Sequence, residues 1–482
     1  MNKYEELKSF LSKYDQDHLI RFWDELTDDE KSSLESDIRN IDFEQVTNFL
    51  SQLKETQASQ EKLDSELRPV PPEIYGSVEG TNEKVLEAYR YEGLKQIAKG
   101  HVGVILLAGG QGTRLGVNDP KGMFNVGLPS GSTLFQIQAE RIKRLQHLAE
   151  IEFKKRCNIT WYIMTSDATL EKTQNFFKKN NYFGLDESNV VMFEQGKLPC
   201  FDFDGKILLD KKFKISMSPN GNGGLYKALR DERVLQDMDK RGVKYLHTYC
   251  VDNILVRVAD PIFIGYCVSK KADCAAKVVR KDFPHEAVGV VCAVNGKYQV
   301  VEYSEITSQT AEKKNEDGTL MFNAGNICNH FFTTEFLKNV SNYFESKLKV
   351  HEARKKIPYV QPDGTRVEKP EENTGIKIEK FVFDVFPFST NFVVWEVPRE
   401  EEFSALKNGI NSKKDNANTA KESIYKLHKK YIINAGGKVS GNGPCEVSPL
   451  LSYSGEGLEK ICQGKKYDTD CQPVYLTPYD LQ

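Results

Sequence analysis

The 482-residue sequence predicts an α/β fold: a doubly wound, mostly parallel sheet, with a helical region before it and a small β-containing domain after it. Three observations carry this expectation. Between about residues 99 and 400, short β-branched runs alternate with helical patterns, as βαβ units require. One run, Val102 to Leu107, is almost wholly apolar, as befits a strand covered on both faces of a parallel sheet. That run passes directly into a loop holding four glycines in eight residues, at the strand end where such sheets bind ligands.

Near the N-terminus, Leu19, Phe22, Trp23 and Leu26 follow the spacing of an amphipathic helix, and Thr27-Asp-Asp-Glu30 is a capping box opening the next one. Pro69-Val-Pro-Pro72 interrupts, and Leu86, Tyr89, Gly93 and Ile97 mark a helix leading to the strand at 102. Beyond the glycine loop the pattern predicts a helix over 133–150, a strand over 158–165, a helix over 170–179 and a strand over 190–193. Ser218-Pro-Asn-Gly-Asn-Gly-Gly leads into a helix near Leu225, and Tyr245 to Asn253 is a β-rich run ending in Asp-Asn. Asn295-Gly-Lys297 joins the runs 288–294 and 298–303 as a hairpin. Residues 361–375 read as an exposed loop, and period-2 spacing puts Phe381 and Phe383 on one face of the strand after it. A polar linker over 409–418 precedes a helix marked by Ala420, Ile424, Leu427 and Tyr431, and a Gly/Pro-punctuated tail closes the chain. The boundaries read from this pattern are a helical domain over 1–98, a central catalytic domain over 99–405 and a small C-terminal domain over 406–482.

Composition narrows the function classes. Lys plus Arg number 66 against 69 for Asp plus Glu, a net charge of -3, so no global basic field invites nucleic acid or an anionic membrane, and any anion site must be local. The longest apolar runs, 102–107 and 288–294, are far below the roughly 20 residues that span a bilayer. The start lacks an apolar leader segment, and the ten cysteines form no Cys-x-x-Cys pair. A cytoplasmic protein with buried free thiols is expected.

The glycine loop carries the chemistry. Gly109, Gly110, Gly112 and Gly116 let backbone N–H groups turn toward one point, while Arg114 and Lys121 bring two cations to the same anion. Gly110, Gly112 and Gly116 are spaced one residue too far for the dinucleotide fingerprint, and no G-x-x-x-x-G-K-[ST] occurs, so hydride transfer and P-loop chemistry both lose ground. Asp252, ending its β-rich run, is placed to hold Mg²⁺ on phosphate oxygens; an Asx turn capping the strand is the ordinary alternative. For Phe381 and Phe383 the alternative is core packing, and for Lys377 a solvated surface lysine.

Leu107-Ala-Gly-Gly-Gln-Gly-Thr-Arg-Leu-Gly116 with Pro120-Lys-Gly122 resembles the signature loop of eukaryotic UDP-N-acetylhexosamine pyrophosphorylases, a branch of the UDP-sugar pyrophosphorylases, and the likeness extends over nearly the whole chain. The resemblance implies a nucleotide-diphospho-sugar transferase-like, Rossmann-like fold. It assigns Leu107, Ala108, Gly109, Gly110, Gln195, Gly221 and Asp252 to UTP, with Asp252 also the Mg²⁺ ligand. It assigns Asn222, Gly289, Glu302, Tyr303, Asn326, Phe381, Phe383 and Lys407 to the sugar phosphate, the two phenylalanines beside the acetamido group. Arg114, Lys121 and Lys377 become the catalytic cations. Two departures stand out: the connection from Gly437 to Cys445 is shorter than in vertebrate members, and Cys328 stands where a small residue such as Ala is expected.

The reaction so implied joins UTP and N-acetylglucosamine 1-phosphate into UDP-N-acetylglucosamine and pyrophosphate, with Mg²⁺, in a monomer or weak homodimer. The rivals are a pyrophosphorylase for glucose 1-phosphate or a broad sugar range, and a non-catalytic nucleotide-sugar sensor on the same fold.

Overall fold

The computed structural model describes residues 3–58 and 64–481. The chain forms two compact units, each assembled from separate stretches: residues 1–63, 195–228 and 343–384 in the first, 64–194, 229–342 and 385–482 in the second. These units cut across the three consecutive segments read in the sequence, because strands and helices far apart in the chain complete each core.

In the first unit, helices α1 (Lys3–Ser12), α2 (Asp28–Arg39) and α3 (Phe43–Ala58) bury Leu11, Leu34, Ile38 and Phe49 against Phe201, Ile215 and Ile378. The capping box forms as expected: the Glu30 N–H donates to Thr27 Oγ1, and the Thr27 N–H to Glu30 Oε2 at 2.9 Å. Leu19, Phe22, Trp23 and Leu26 are all buried, but as two 3₁₀ turns, Asp17–Ile20 and Trp23–Glu25, and not as one α-helix. The cause is a set of side-chain ties that hold the chain in turns. Gln16 Nε2 donates to the Gly205 carbonyl at 3.0 Å, His18 Nε2 meets the Ile207 carbonyl at 2.8 Å, and Arg21 Nη2 donates to the Val360 carbonyl at 2.9 Å. Short antiparallel pairs complete this unit, among them His351–Lys355 with Gly375–Glu379 and Lys197–Pro199 with Met217–Pro219.

The second unit is built on an eleven-stranded sheet whose main path contains β1 (Tyr75–Ser77), β2 (Val102–Leu107), β3 (Thr160–Thr165), β4 (Val190–Glu194), β5 (Tyr245–Cys250), β6 (Cys274–Arg280), β9 (Ala324–Thr333) and β10 (Phe392–Glu396), with β7 (Val290–Val294) and β8 (Lys297–Val301) as a hairpin off it. Their order is β1-β10-β6-β9-β5-β2-β3-β4, parallel throughout except for β9, which runs antiparallel to both β5 and β6. The doubly wound, mostly parallel sheet is therefore as expected. β1 adds a strand within the N-terminal stretch read as helical.

Helices α4 (Glu83–Ala98), α5 (Leu134–Phe153), α6 (Leu170–Lys179) and α7 (Pro261–Ser269) bring Ile97, Phe135, Phe177 and Phe263 into one core with Val104, Trp161 and Phe331. All six residues of β2 are buried, which accounts for its unbroken apolar run. The hairpin turns at Asn295 and Gly296, both with positive φ of 52° and 75°, as an Asn-Gly turn demands. The C-terminal helix α8 (Ala417–Asn434) and two short parallel pairs share a core with Val126, Leu134, Ile137 and Leu406, so this segment belongs to the second unit. Among the described residues no helix is long and apolar enough to cross a membrane.

Because β2, β3, β5, β6 and β10 are parallel, their carboxyl ends share one edge. The glycine loop, Asp252 and the start of β9 all fall there.

Three imidazoles in this unit are buried and held neutral. Nδ1 of His247 accepts the Ala259 N–H and Nδ1 of His428 accepts the Val447 N–H, each at 2.9 Å, while neither ring nitrogen of His330 has a hydrogen-bond partner among the described residues. Burial is the first cause and pushes all three pKa values down to about 3 from an ordinary 6.5. The unfolded chain therefore takes up protons below pH 6.5 that the folded chain refuses. These groups cost nothing above that pH and erode stability as pH falls toward 3, by up to about 1.4 kcal/mol per pH unit for each. Denaturant titrations from about pH 8 to 4 should show stability falling below about 6.5, with His428→Gln reducing the slope.

Candidate active site

The loop after β2 folds back on itself. The Gly112 N–H donates to the Asp119 carbonyl at 2.9 Å, the Lys121 N–H to the Gly110 carbonyl at 3.2 Å, and Gln111 bridges Pro120. Two glycines are required by geometry: Gly116 has φ of +84°, and a Cβ at Gly122 would lie 2.2 Å from the Phe135 ring. Gly110 is different, since a Cβ there would meet nothing within 4 Å and the residue is exposed, leaving its backbone open to a ligand. The base of the loop is fixed by the Ala108 N–H on the Met164 carbonyl at 2.8 Å and by Ser166 Oγ on the Gly109 carbonyl at 2.9 Å. Short 3₁₀ turns then present Arg114, within Thr113–Leu115, and Lys121, within Lys121–Met123. Arg114 is exposed and has no carboxylate partner among the described residues.

Three of the expected charged groups gather at the edge. Lys121 Nζ lies 3.8 Å from Asp252 Oδ2, at the outer limit of an ion pair, with the side chains 17% and 19% exposed. Crowding around the Lys407 ammonium works against its charge, but Asp252, together with Asp415 and two neighbouring thiols, outweighs it and the net pKa shift is upward. Lys407 is therefore a fully protonated cation at neutral pH.

A clasp that the sequence reading missed brings Asp252 and Lys407 together. Asn253 is 3% exposed; its Nδ2 donates to the Glu402 carbonyl at 2.7 Å, and its Oδ1 accepts the Ser404 and Leu255 N–H groups at 3.0 and 3.2 Å. The backbone adds the Leu406 N–H on the Asp252 carbonyl at 2.8 Å and the Ile254 N–H on the Ser404 carbonyl at 3.1 Å. Glu402 is anchored in turn by Lys277 of β6, which is wholly buried and also pairs with Asp260 at 2.6 Å. The signal was present in the Asp252-Asn253 dipeptide, but its partner at 402–406 lies some 150 residues on.

Gly289, Glu302 and Asn326 also meet, as expected. A Cβ at Gly289 would lie 2.9 Å from Glu302 Oε1, and the Asn326 N–H donates to the Gly289 carbonyl at 2.8 Å. Glu302 and Tyr303 lie beyond the end of β8 in a turn, and not on the strand; Tyr303 is 53% exposed. The Glu302 N–H is taken by Glu305 Oε2 at 3.0 Å, which ends the ladder.

The first unit gathers the remaining residues. Gln195 is buried, and Gly221 has φ of +83° with a notional Cβ 2.5 Å from the Lys380 carbonyl, so only glycine fits. Asn222 Oδ1 accepts the Val382 N–H at 2.9 Å, lacing this turn to the segment that holds the phenylalanines. Phe381 and Phe383 do not share a strand face. The strand carrying Lys377 ends at Glu379, because the Lys380 N–H goes to the Asn220 carbonyl at 2.9 Å and the Phe381 N–H to Asp384 Oδ2 at 2.8 Å, and a 3₁₀ helix begins at Val382. Their rings nevertheless meet, with centroids 5.2 Å apart. His351, absent from the sequence reading, stacks on Phe381 at 4.0 Å and binds Asp384 at 3.1 Å. Lys380 is buried on Glu345 at 2.6 Å and belongs to the core.

An open α/β sheet with a cationic glycine loop at its carboxyl edge is the framework of a nucleotidyltransferase-like protein. A family model described as UTP–glucose-1-phosphate uridylyltransferase matches residues 43–440, and the chain belongs to this family. It is 52% identical to UDP-N-acetylhexosamine pyrophosphorylase-like protein 1 of Xenopus tropicalis, over 96% of this chain and 95% of that one. It is 41% identical to UDP-N-acetylglucosamine pyrophosphorylase of Saccharomyces cerevisiae, over 96% and 98%. The crystal structure of the Trypanosoma brucei uridine diphosphate N-acetylglucosamine pyrophosphorylase in complex with an inhibitor superposes with a TM-score of 0.83 at 28% identity, over 100% of this chain and 99% of that one.

Truncating the clasp strands buried polar groups of the backbone at 402 and 404. Asn253→Ala should lower unfolding stability by about 2 kcal/mol. Urea titration measures this, and an unchanged midpoint would mean that the clasp contributes nothing.

Proposed function

We propose that this protein makes UDP-N-acetylglucosamine and pyrophosphate from UTP and N-acetylglucosamine 1-phosphate. The observation that carries the reading is the convergence of Lys121, Asp252 and protonated Lys407 beside an open glycine loop, in a chain 41–52% identical to named pyrophosphorylases of this substrate class. An oxygen of the sugar phosphate attacks the α-phosphorus of UTP in line with the departing pyrophosphate. No covalent enzyme intermediate is needed, because positioning and charge stabilisation supply most of the catalysis in phosphoryl-type transfer.

Arg114, Lys121 and the N–H groups of the glycine loop neutralise charge on the leaving pyrophosphate. Lys407 holds the attacking phosphate, and Lys377 neutralises the α-phosphate. Gln195 and Gly221 read the uracil; Asn222, Gly289, Glu302, Tyr303 and Asn326 hold the sugar; Phe381 and Phe383 receive the acetamido methyl. The donor set suits Mg²⁺. Asp252 accepts no side-chain hydrogen bond, its one ion pair is long, and no group of three or more His, Cys, Asp or Glu side chains forms a ready cation cage among the described residues. A hard cation held by one carboxylate and substrate phosphates fits that arrangement, and when bound it offsets phosphate charge. Ten free thiols suit a reducing, cytoplasmic setting.

The second reading, glucose 1-phosphate as acceptor, is favoured by the family's own description. Pyrophosphate release measured with UTP, Mg²⁺ and each of the 1-phosphates of glucose, galactose and their N-acetylated forms separates the two. Burying one methyl group is worth about 1–3 kcal/mol, so N-acetylated acceptors should win by roughly 10- to 200-fold in kcat/KM. Glucose 1-phosphate at parity would overturn the proposed specificity, and no release with any acceptor would favour a sensor.

Arg114→Ala should lower kcat by about 100-fold or more while the thermal transition stays in place, since Arg114 is exposed and has no carboxylate partner among the described residues. Near-normal turnover would remove Arg114 from its role.

A further inference from the structure

Two thiols beside the proposed phosphate groups have no part in the reaction above. Cys250 ends β5 and Cys328 lies on β9. The antiparallel ladder ends with Tyr249 paired to Asn329, and Cys250 and Cys328 are the next residues along the two strands. At the same place β9 slips its register against β6, between the partners of Lys277 and Val278, and Cys328 takes a left-handed φ of 52°. Such a bulge re-aims a side chain. Here the two thiols hydrogen-bond each other. Both are free and half-buried, within reach of a small oxidant.

Neighbouring antiparallel strands lie about 4.7–4.9 Å apart, inside the Cα span of about 4.4–6.8 Å that a disulfide bridges. The surroundings tie the pair to the site. The Lys407 ammonium interacts electrostatically with both thiols as well as with Asp252, and the Cys328 N–H donates to Asn326 Oδ1 at 3.1 Å.

We propose that Cys250 and Cys328 form a modification site, at which a hydroperoxide oxidises the pair to an intramolecular disulfide that halts turnover. The Cys250 sulfur attacks a peroxide oxygen; an S–O bond forms, the O–O bond breaks, and the thiol proton leaves with the released hydroxyl as water. The Cys328 sulfur then attacks Cys250 Sγ, forming the S–S bond, and the hydroxyl departs as water with the Cys328 proton. Two thiols lose two electrons and two protons, and hydrogen peroxide becomes two waters. Drawing the sulfurs together pulls on the bulge beside Asn326. A reducing dithiol reverses the change.

The effect on turnover rests on the pyrophosphorylase reading; the crosslink does not. The full-length protein is titrated with hydrogen peroxide, digested without reduction and examined by mass spectrometry, with pyrophosphate release followed in parallel. The expected result is a Cys250–Cys328 peptide pair lighter by two hydrogens, appearing as turnover falls by at least about tenfold, with both reversed by dithiothreitol. Cys328→Ala and, separately, Cys250→Ser should keep basal turnover and resist peroxide. Absence of the crosslink from peroxide-treated wild type overturns the site, and a stoichiometric crosslink with unchanged turnover overturns its effect. A protein without basal turnover on any acceptor, yet still crosslinking, would sink the catalytic reading and leave the modification site standing.

Discussion

A lysine ammonium with no exposure to solvent has to be matched by carboxylates or it will not stay charged, and Lys277 is matched by two, Asp260 and Glu402. Burial raises the Asp260 pKa, but Lys277 and Arg257 pull it lower still, so the group remains ionised. The arrangement is directional as well as neutralising. Asp260 caps α7 through the Ile262 N–H, Lys277 belongs to the sheet, and Glu402 sits at the head of the segment that ends in Lys407. One buried network therefore ties a helix, a strand and the segment carrying Lys407 into a single corner. The Asn253 clasp extends that corner by one residue to Asp252. Removing Lys277 would leave two buried carboxylates with only Arg257, 3.8 Å from Glu402, to balance them, so the position of Lys407 and the stability of this unit depend on the same atoms.

The contrast between global and local charge follows from that corner. The chain carries a net charge of -3, yet Arg114, Lys121 and Lys407 at the sheet edge outnumber Asp252 and Asp415 three to two. A local surplus of positive charge is suited to a triphosphate and a sugar phosphate, and it is expensive to hold together without them. Asp252 answers part of this: it lies near Lys121 and raises the Lys407 pKa, so the carboxylate that would take a cation with substrate also steadies the lysines before substrate arrives. The 3.8 Å separation from Lys121 leaves that pairing loose, and a phosphate has little to displace.

Local chemistry was legible in the sequence, and long-range geometry was not. The apolar run of β2, the glycines at 109–116, the Thr27 capping box and the Asn295-Gly296 turn each follow from a few neighbouring residues, and the structure has all of them. The 3₁₀ turns around Leu19 and Trp23 depend on carbonyls at 205, 207 and 360, and the break after Glu379 depends on Asn220 and Asp384; no periodicity contains that information. His351 beside Phe381 and Asn253 beside Glu402 were hidden for the same reason. The interleaving of the two units is the largest instance, since a boundary read along the chain assumes that contiguous residues share a core.

The groups proposed to take the phosphates and the groups proposed to take the acetamido methyl are held by different networks. Arg114 and Lys121 ride on short 3₁₀ turns held by backbone hydrogen bonds, and Lys407 follows the ties of Lys277 and Asn253. The aromatic pair Phe381 and Phe383 is held by side-chain contacts instead: His351 stacks on one ring, Asp384 takes both the His351 ring and the Phe381 N–H, and Asn222 fixes Val382 between them. A change at His351 or Asp384 would therefore tilt Phe381 while leaving the turns that carry Arg114 and Lys121 unchanged. Under the proposed assignment of Phe381 and Phe383 to the acetamido methyl, sugar preference would drift through residues that contact no substrate, while the groups anchored in the Lys277 corner stay in place.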